Sequence, residues 1–587
     1  MKTFLKNARA TLLAERKTSG YWVGELSSSA LSTATALIAL HFVDSERHEK
    51  VNRNATEWLV KTQNEDGGWG DTTISKSNIS TTLLVWSALG LRGDVEESIH
   101  RAESWIRKTV GSLEPDEIKA KVTARYGKDK TFSGPILMAC ALCGRLGGAP
   151  EVAWQHVLAL PFELAVFPRR WYGALKFPVV SYALPALIAI GYARYYHAKP
   201  FFIFRAIRAL SWKPVSRLLA EIQPASGGYL EATPLTSFVT MALASADQKD
   251  HPVVPRGVRF LLDSVRADGS WPIDTNLATW GTTLATKALL ASTDNPGDFP
   301  KEERERVQAW LLAQQYKTVH PFTVSPPGGW AWTDLSGGVP DADDTAGALL
   351  AIHRLGREAP PVRKAAAAGI IWLLDLQNRD GGFPTFCRGW GALPFDRSSP
   401  DISAHALRAM VAWKPCLDVF LQKRISKAIG KLLRYLEARQ AGDGSWTPLW
   451  FGNHYLECEN NQTYGTALVV VALTAEDSEQ SAEMRRKGIA WLTSTQSENG
   501  GWSGGDSTKP TSIEETALAI RALSTAGGSR QLQKGIAHLR QLTGNGLAFP
   551  VAPIGFYFAK LWYWEKLYPM VWTVDALEVF SNSKGEV

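Results

Sequence analysis

Residues 496–502 read QSENGGW, and this order of a glutamine, several polar residues, a glycine turn and an aromatic ring recurs along the chain. The full copies are Gln63–Trp69, Gln223–Tyr229, Gln377–Phe383, Gln440–Trp446 and Gln496–Trp502. Degenerate copies lie at Ala267–Trp271 and Gln314–Trp330. In the second half of the chain the copies are roughly sixty residues apart, which leaves room for two helices and two loops per unit.

Apolar residues at helical spacing flank the copies, whereas strand-like alternation is nearly absent. Residues 370–374 precede one copy, and residues 516–520 follow another. Asp-Gly and Asn-Gly pairs mark the tight turns between them. The repeat therefore predicts an all-α chain of helical hairpins in a closed array. Each glutamine is expected to cap helix-end groups, and each ring to stack on a neighbouring hairpin.

The bulk properties of the chain limit its partners. Its 587 residues are too many for one ordinary core and predict two domains. A net charge of +7 fits an anionic membrane surface, and no basic run or motif predicts a nucleic-acid partner. The most apolar stretch, residues 177–196, is interrupted by Pro178 and Pro185. It predicts either a buried core helix or a patch that dips into one leaflet.

Three carboxylates, Asp341, Asp343 and Asp344, crowd one predicted helix start. Pro340 suits the first turn of that helix, and a single Asp would be enough to cap it. Three within four residues repel one another unless a cation binds them or one carboxyl keeps its proton. The Asp-Asp-x-x-Asp pattern of a metal–diphosphate site fails, because the next residues are Thr, Ala and Gly. A retained proton would make an acid in a dry pocket, which is what protonation of an alkene requires.

A second pair, Asp401 and His405, also lies at a predicted helix start. Their i, i+4 spacing places both on one helix face. The pair is either a local helix contact or an Asp that holds His405 charged and directed at the aspartate cluster. An imidazolium there would stabilise the conjugate base of the acid and so strengthen the acid.

Together with the repeats, the string at 341–346 (Asp-x-Asp-Asp-Thr-Ala) and the pattern at 401–405 (Asp-x-Ser-Ala-His) resemble the squalene–hopene cyclase family of class II terpene cyclases over nearly the whole chain. The resemblance implies two α/α barrels, with residues 21–284 inserted into a catalytic barrel of residues 1–20 and 285–587. It also implies that no metal or cofactor is needed. A monotopic position on the cytoplasmic side of a membrane, and a homodimer, are expected because both are common in the family.

By the same resemblance, Asp343 is the proton donor, with Asp341 and Asp344 as its charge partners. Asp401 and His405 form the activating pair. The implied substrate contacts are mostly aromatic, and aromatic faces stabilise a carbocation without quenching it. These residues are Trp280, Trp332, Phe386, Trp390, Trp450, Tyr464, Tyr557, Leu561 and Trp564.

The resemblance implies a carbocation cascade on a linear isoprenoid, either a squalene-type precursor or a prenylated aromatic that gives a merosterolic-acid-like product. Leu561 and Val179 stand where squalene–hopene cyclases usually carry aromatic residues, which makes a smaller or partly polar isoprenoid an alternative to squalene.

Three other classes remain open from the sequence. A class II cyclase of a prenyl diphosphate would share the aspartates but needs an acidic metal motif in the inserted domain. A protein prenyltransferase subunit would need zinc ligands. A non-catalytic isoprenoid-binding barrel would keep the repeats, but has no use for three aspartates and His405 together.

Overall fold

The computed structural model describes residues 1–127, 131–168, 171, 184–198, 201–291, 298–386, 395–527, 529–555 and 560–583. Helices dominate this part of the chain, as the repeat predicted. In chain order they are α1 Lys2–Ala14, α2 Ala30–Asp44, α3 Glu49–Lys61, α4 Ile79–Leu89, α5 Glu96–Val110, α6 Pro115–Tyr126, α7 Ser133–Leu142, α8 Pro150–Ala153, α9 Leu184–Ala198, α10 Phe202–Glu221, α11 Thr233–Ser245, α12 Val253–Ser264, α13 Ala278–Leu289, α14 Lys301–Gln314, α15 Ala342–Gly356, α16 Pro360–Leu376, α17 Pro400–Trp413, α18 Val419–Arg439, α19 Gln462–Leu473, α20 Glu479–Ser494, α21 Ile513–Leu523, α22 Arg530–Leu542 and α23 Leu567–Ser583. Two short strands, β1 Ser28–Ser29 and β2 Trp271–Pro272, pair antiparallel.

Six helices, α13, α15, α17, α19, α21 and α23, form a closed ring in which each one packs against its two neighbours. Most of these inner helices are buried on nearly every side, which fits their continuous apolar and small residues. A second layer, α1, α14, α16, α18, α20 and α22, packs around them. The outer helices bury one face and expose the other, so this half of the chain is an α/α barrel.

A smaller ring, α2, α4, α7, α9 and α11, closes in the same way within the first half of the chain. The outer helices α3, α5, α6, α10 and α12 pack around it. Helix α1 packs on α23 of the other ring, so the smaller barrel is inserted close to the start of the larger one. Helix α13 spans the predicted boundary at residue 284 and belongs to the larger ring. We therefore propose that the boundary lies before Ala278.

The glutamine of each repeat ties its turn to the next outer helix. Nε2 of Gln496 donates to the carbonyl oxygens of Gly500 and of Gln531 in α22, both at 2.8 Å. The indole Nε1 of Trp502 donates to the carbonyl oxygen of Leu492, in the last turn of α20, at 2.7 Å. The ring N–H thus satisfies the helix end, a role that the sequence had predicted for the glutamine.

The enlarged repeat uses Gln315 rather than the predicted Gln314. Nε2 of Gln315 donates to the carbonyl oxygens of Gly328 at 2.8 Å and Ala365 at 2.9 Å. Gln314 is the last residue of α14 and bonds back to Trp310. The tying glutamine must lie just beyond the helix end, where its side chain is free to reach the neighbouring hairpin.

The inner helices of the larger ring bring their N-terminal ends together at the side that faces the smaller barrel. Side chains cap four of these ends or lie at the cap position: Asp341, Ser399, Asn461 and Ser512. Because the N-terminus of a helix carries the positive end of its dipole, acidic groups are stabilised there. This arrangement places the predicted acid cluster between the barrels.

Candidate active site

An apolar cavity of about 300 Å³ lies between the two barrels. The smaller barrel contributes aliphatic and aromatic side chains such as Leu31, Leu84 and Phe238. The larger barrel contributes most of the rings and all three aspartates of the predicted cluster. The cavity therefore combines a mostly apolar wall with one acidic end.

Most of the predicted substrate contacts line this cavity. They are Trp280, Trp332, Phe386, Trp450 and Leu561. Trp390 and Tyr557 lie outside the described residues. Tyr464 is buried behind the wall, edge-on to Phe451 with ring centroids 4.6 Å apart.

Trp564 does not line the cavity, contrary to the prediction from the sequence. Its backbone N–H donates to Ser27 Oγ at 3.3 Å and its carbonyl oxygen accepts from the N–H of Ser27, so it lies at the seam with the smaller barrel. The neighbouring ring, Tyr563, lines the cavity instead, together with Tyr568. The side chains alternate along this segment, so a shift of one residue exchanges the two faces.

The aspartate cluster begins helix α15. Asp341 is the N-cap, and its Oδ1 accepts a hydrogen bond from the N–H of Asp344 at 2.8 Å. The sequence predicts Pro340 in the first turn of this helix, but Pro340 precedes the cap residue and lies outside the helix. Asp344 is buried, and no described residue donates a hydrogen bond to its Oδ1. The side chain of Asp343 is 19% exposed and reaches the cavity.

Burial raises the pKa of all three carboxyl groups. It raises the pKa of Asp341 and of Asp343 to about 7, and that of Asp344 well above its usual range. The nearby Lys287 opposes this effect at Asp343. Carboxyl groups with such values keep protons near neutral pH, which is the condition that an acid for alkene protonation must meet.

His405 links the cluster to a lysine on another inner helix. Its Nδ1 lies 2.6 Å from Asp343 Oδ1, and its Nε2 lies 2.9 Å from Lys287 Nζ. Burial, together with the charges of Lys287 and Arg408, lowers the pKa of His405 well below its usual value. A neutral ring accepts a hydrogen bond from the ammonium at Nε2 and donates one from Nδ1 to Asp343. These contacts fit a neutral His405 ring rather than the expected imidazolium, with the positive charge on Lys287.

Asp401 does not pair with His405, because both ring nitrogens of His405 already have other partners. The carboxylate of Asp401 accepts a hydrogen bond from Ser399 Oγ, and from the backbone N–H groups of Leu449 at 3.3 Å and Trp450 at 3.4 Å. The i, i+4 spacing placed the two side chains on one face, but the Asp401 carboxylate turns towards the next repeat. Its position beside Trp450 makes it a support for that cavity ring.

Two polar side chains of the site were missed from the sequence. Lys287 is the one basic residue within the buried helix α13, and this isolation is the signal that could have revealed it. Asp274 lines the cavity, and its Oδ2 accepts a hydrogen bond from Trp332 Nε1 at 3.2 Å. No described residue donates a hydrogen bond to its Oδ1, and burial raises its pKa well above the usual range.

No set of three or more His, Cys, Asp and Glu side chains in the described ranges is placed to hold a metal ion.

Comparison of the sequence with models of known protein families identifies the family of this chain. The model of the squalene-hopene cyclase N-terminal domain matches residues 5–123, and that of the C-terminal domain matches residues 276–547. Between them they cover more than half of the chain.

The chain belongs to the squalene–hopene cyclase family. With its barrel fold, this membership makes it a class II terpene cyclase, an enzyme that starts cyclisation by protonation.

Relatives of this family member span most or all of its length. A squalene–hopene cyclase of Alicyclobacillus acidocaldarius is 28% identical over 539 residues, which cover 80% of this chain and 78% of that protein. A drimenyl diphosphate synthase of Streptomyces showdoensis is 25% identical over 57% of this chain and 55% of that protein. Among solved structures, the ent-copalyl diphosphate synthase from Streptomyces platensis superposes with a TM-score of 0.60 at 19% identity, over 98% of this chain and 99% of that chain. This last similarity shows the fold.

Proposed function

We propose that Asp343 starts the reaction by giving its proton to a terminal alkene carbon of a linear isoprenoid. The observation that supports this role is its position: of the three aspartates, Asp343 both reaches the apolar cavity and pairs with His405. Asp341 and Asp344 serve as its charge partners. The backbone N–H of Asp344 bonds Asp341 Oδ1 at 2.8 Å, so these two residues are tied to each other at the helix start, whereas the Asp343 side chain reaches the cavity.

The cavity is suited to the carbocation that protonation leaves. The faces of Trp280, Trp332, Phe386 and Trp450 offer negative π density but no lone pair that would trap the cation. A wall of carbon atoms also excludes water, so a cascade of ring closures can proceed before the last cation is quenched.

The substrate that fits this cavity best is an isoprenoid shorter than squalene, or a prenylated aromatic with a polar head. A volume of about 300 Å³ is at the lower end of the range for small-molecule sites. Asp274 adds a polar point to an otherwise apolar wall. A hydroxyl or phenol on the substrate could hydrogen-bond to this carboxyl group, whereas a pure hydrocarbon could not.

An incubation of detergent-solubilised protein with EDTA tests this function. The substrates are squalene and a set of farnesylated aromatic acids, with products identified by mass spectrometry. We expect an isomer of unchanged mass, or of mass plus one water, from an aromatic substrate, and no product from the Asp343→Asn variant. Cyclisation of squalene alone would contradict the substrate assignment, and equal turnover by Asp343→Asn would contradict the acid.

Cyclisation of a prenyl diphosphate is the second candidate, because a second cavity, of about 570 Å³, has several basic side chains in its wall, and Lys560 of that wall is next in the chain to Leu561 of the apolar cavity. Lys76, Lys121, Arg125 and Lys560 line it together with Glu457 and Glu459, and Glu459 pairs with Arg125 at 3.3 Å and with Lys560 at 3.0 Å. These cations suit a diphosphate, the group named in two of the relatives above. Product from farnesyl diphosphate with magnesium, together with its loss in EDTA, would favour this candidate over the first.

We also propose that the protein binds a membrane surface through the smaller barrel. Five large apolar residues there are between 49% and 81% exposed to solvent. They are Phe167, Trp171, Phe201, Phe202 and Leu210. Exposed Arg205 and Lys213 lie beside them, where they would meet anionic headgroups. No helix within the described ranges has the length and apolarity to cross a bilayer.

Vesicle flotation tests the membrane surface. The double variant Phe202→Ser, Leu210→Ser should lose most binding to vesicles of phosphatidylglycerol and phosphatidylethanolamine. Phe420→Ser removes an equally exposed ring, 70% exposed, from the larger barrel and should bind like the unmodified chain. Equal binding by all three proteins would contradict this surface.

A further inference from the structure

Lys287 is a buried cation inside the larger barrel. Its residue exposure is 8%, and its Nζ lies 5.6 Å from the centre of the Trp280 ring. Its Nζ lies 2.9 Å from His405 Nε2, within hydrogen-bond distance. A buried ammonium costs several kcal/mol unless other groups compensate it, so its presence in an apolar helix calls for a function.

The charged groups around Lys287 do not form a matched ion pair with it. On α15, Asp343 and Arg354 face it; on α17, His405 and Arg408 do so; on α23, Asp575 does so. Asp575 is already paired with Arg521, at 3.1 Å. Two arginines and a neutral His405 therefore face Lys287 with a single carboxylate, Asp575, that is committed elsewhere, and the Asp343 carboxyl carries its proton in the form that acts on the substrate.

We propose that Lys287 is a positioning residue that supplies, through His405, the positive charge that stabilises the Asp343 carboxylate when its proton goes to the substrate. This role rests on the proposed function of Asp343. The sequence predicts this role for an imidazolium at His405. In the structure His405 lies between Asp343 and the charged group, which is Lys287.

The charges balance in the protonation step. The O–H bond of Asp343 breaks, the alkene electron pair forms the new C–H bond, and the O–H electron pair stays on the carboxylate. His405 keeps its proton at Nδ1, and Lys287 keeps its three. The unit of Asp343, His405 and Lys287 changes from a lone buried cation to a neutral pair joined by two hydrogen bonds. The transition state is therefore better compensated than the ground state, which strengthens the acid. Asp343 regains a proton from solvent before the next turnover.

Two substitutions separate charge from shape. Lys287→Met keeps the length and removes the charge, whereas Lys287→Arg keeps a charge that cannot be lost near neutral pH. We expect Lys287→Met to lower kcat about ten- to a hundredfold with KM within about twofold, and Lys287→Arg to retain most of kcat. Thermal unfolding of Lys287→Met should not occur at a lower temperature, because a buried uncompensated charge has been removed.

The kinetics use squalene or the farnesylated aromatic acid, whichever turns over. A second measurement needs no substrate: infrared difference spectra against Asp343→Asn follow the protonated carboxyl of Asp343 as pH changes. Its titration should move to higher pH in Lys287→Met and stay near that of the unmodified chain in Lys287→Arg. An unchanged titration in Lys287→Met, or an equal shift in both variants, would overturn the proposal. A fully active Asp343→Asn would instead overturn the proposed function, and the infrared titration would still report on Lys287.

Discussion

Asp343 Oδ1 and His405 Nδ1 lie 2.6 Å apart although 62 positions separate them in the chain. Each residue belongs to the first turns of an inner helix, Asp343 in α15 and His405 in α17, and these helices are neighbours in the larger ring. The separation is close to one repeat. The repeat thus sets the scaffold and also brings equivalent turns of successive hairpins into contact, which is how two local motifs become one site.

Loss of the imidazole should slow the reaction without unfolding the protein. We expect His405→Ala to lower kcat about a hundredfold or more, because the Asp343 carboxylate then lacks its N–H donor. His538→Ala is the matched control, since this histidine is equally buried but bonds Thr511 in an outer hairpin. Equal kcat values for the two variants would contradict the role of His405.

The reaction should depend on pH through the acid. Asp343 acts in its protonated form, and burial raises its pKa to about 7. Burial also lowers the pKa of Lys287 to about 7, so its charge is lost over the same range. Both effects have the same sign: kcat should be level below about pH 6 and fall as pH rises through 7. A kcat that rises between pH 6 and 8 would contradict this assignment.

Asp401 should matter for the wall rather than for the proton. In Asp401→Asn, the amide NH2 would face one of the two backbone N–H donors, Leu449 or Trp450, that now bond different oxygens of the carboxylate. We expect a loss of about 1–3 kcal/mol in the free energy of unfolding and altered product ratios from a displaced Trp450. The pH at which kcat falls should stay unchanged. A shift of that pH would mean that Asp401 tunes the acid after all.

The rings of the repeats should contribute to stability alone. Trp446 Nε1 donates to the carbonyl oxygen of Leu436 at 2.8 Å, so Trp446→Phe leaves a buried acceptor unpaired. We expect a lower melting temperature, equivalent to about 1–3 kcal/mol, with little change in KM. Trp171→Phe, at a ring that is 52% exposed, should melt like the unmodified chain. Equal melting temperatures would contradict the structural role of the indole N–H.

The fold was accessible from the sequence because its signals are local. Each glutamine–aromatic turn recurs with its own flanking helices, so one copy predicts a hairpin and several copies predict an array. Where the rings close is a property of packing between hairpins. The domain boundary predicted at residue 284 accordingly falls inside α13. The glutamine predicted for the enlarged repeat, Gln314, is one residue before Gln315, which makes the hydrogen bonds.

The parts of the site that depend on local sequence could be predicted in the same way. Asp341 as an N-cap with Asp343 and Asp344 in the first turn follows from local capping chemistry. The partners of these aspartates come from other helices. Lys287 reaches His405 across 118 positions of chain, and Asp274 meets Trp332 across 58. Spacing within one helix predicted an Asp401–His405 pair, but the contacts between helices decided otherwise.

The most direct test of the proposed acid is the turnover of the Asp343→Asn variant. Asp343→Asn should fold at least as stably as the unmodified chain at pH 7, because a buried carboxyl with a raised pKa becomes a cost as pH exceeds the unfolded value of about 3.9. Circular dichroism and melting temperature would establish the fold. Turnover of the reactive isoprenoid in EDTA should then fall about a thousandfold or more. A folded Asp343→Asn variant that cyclises the substrate at a near-normal rate would contradict protonation by this residue.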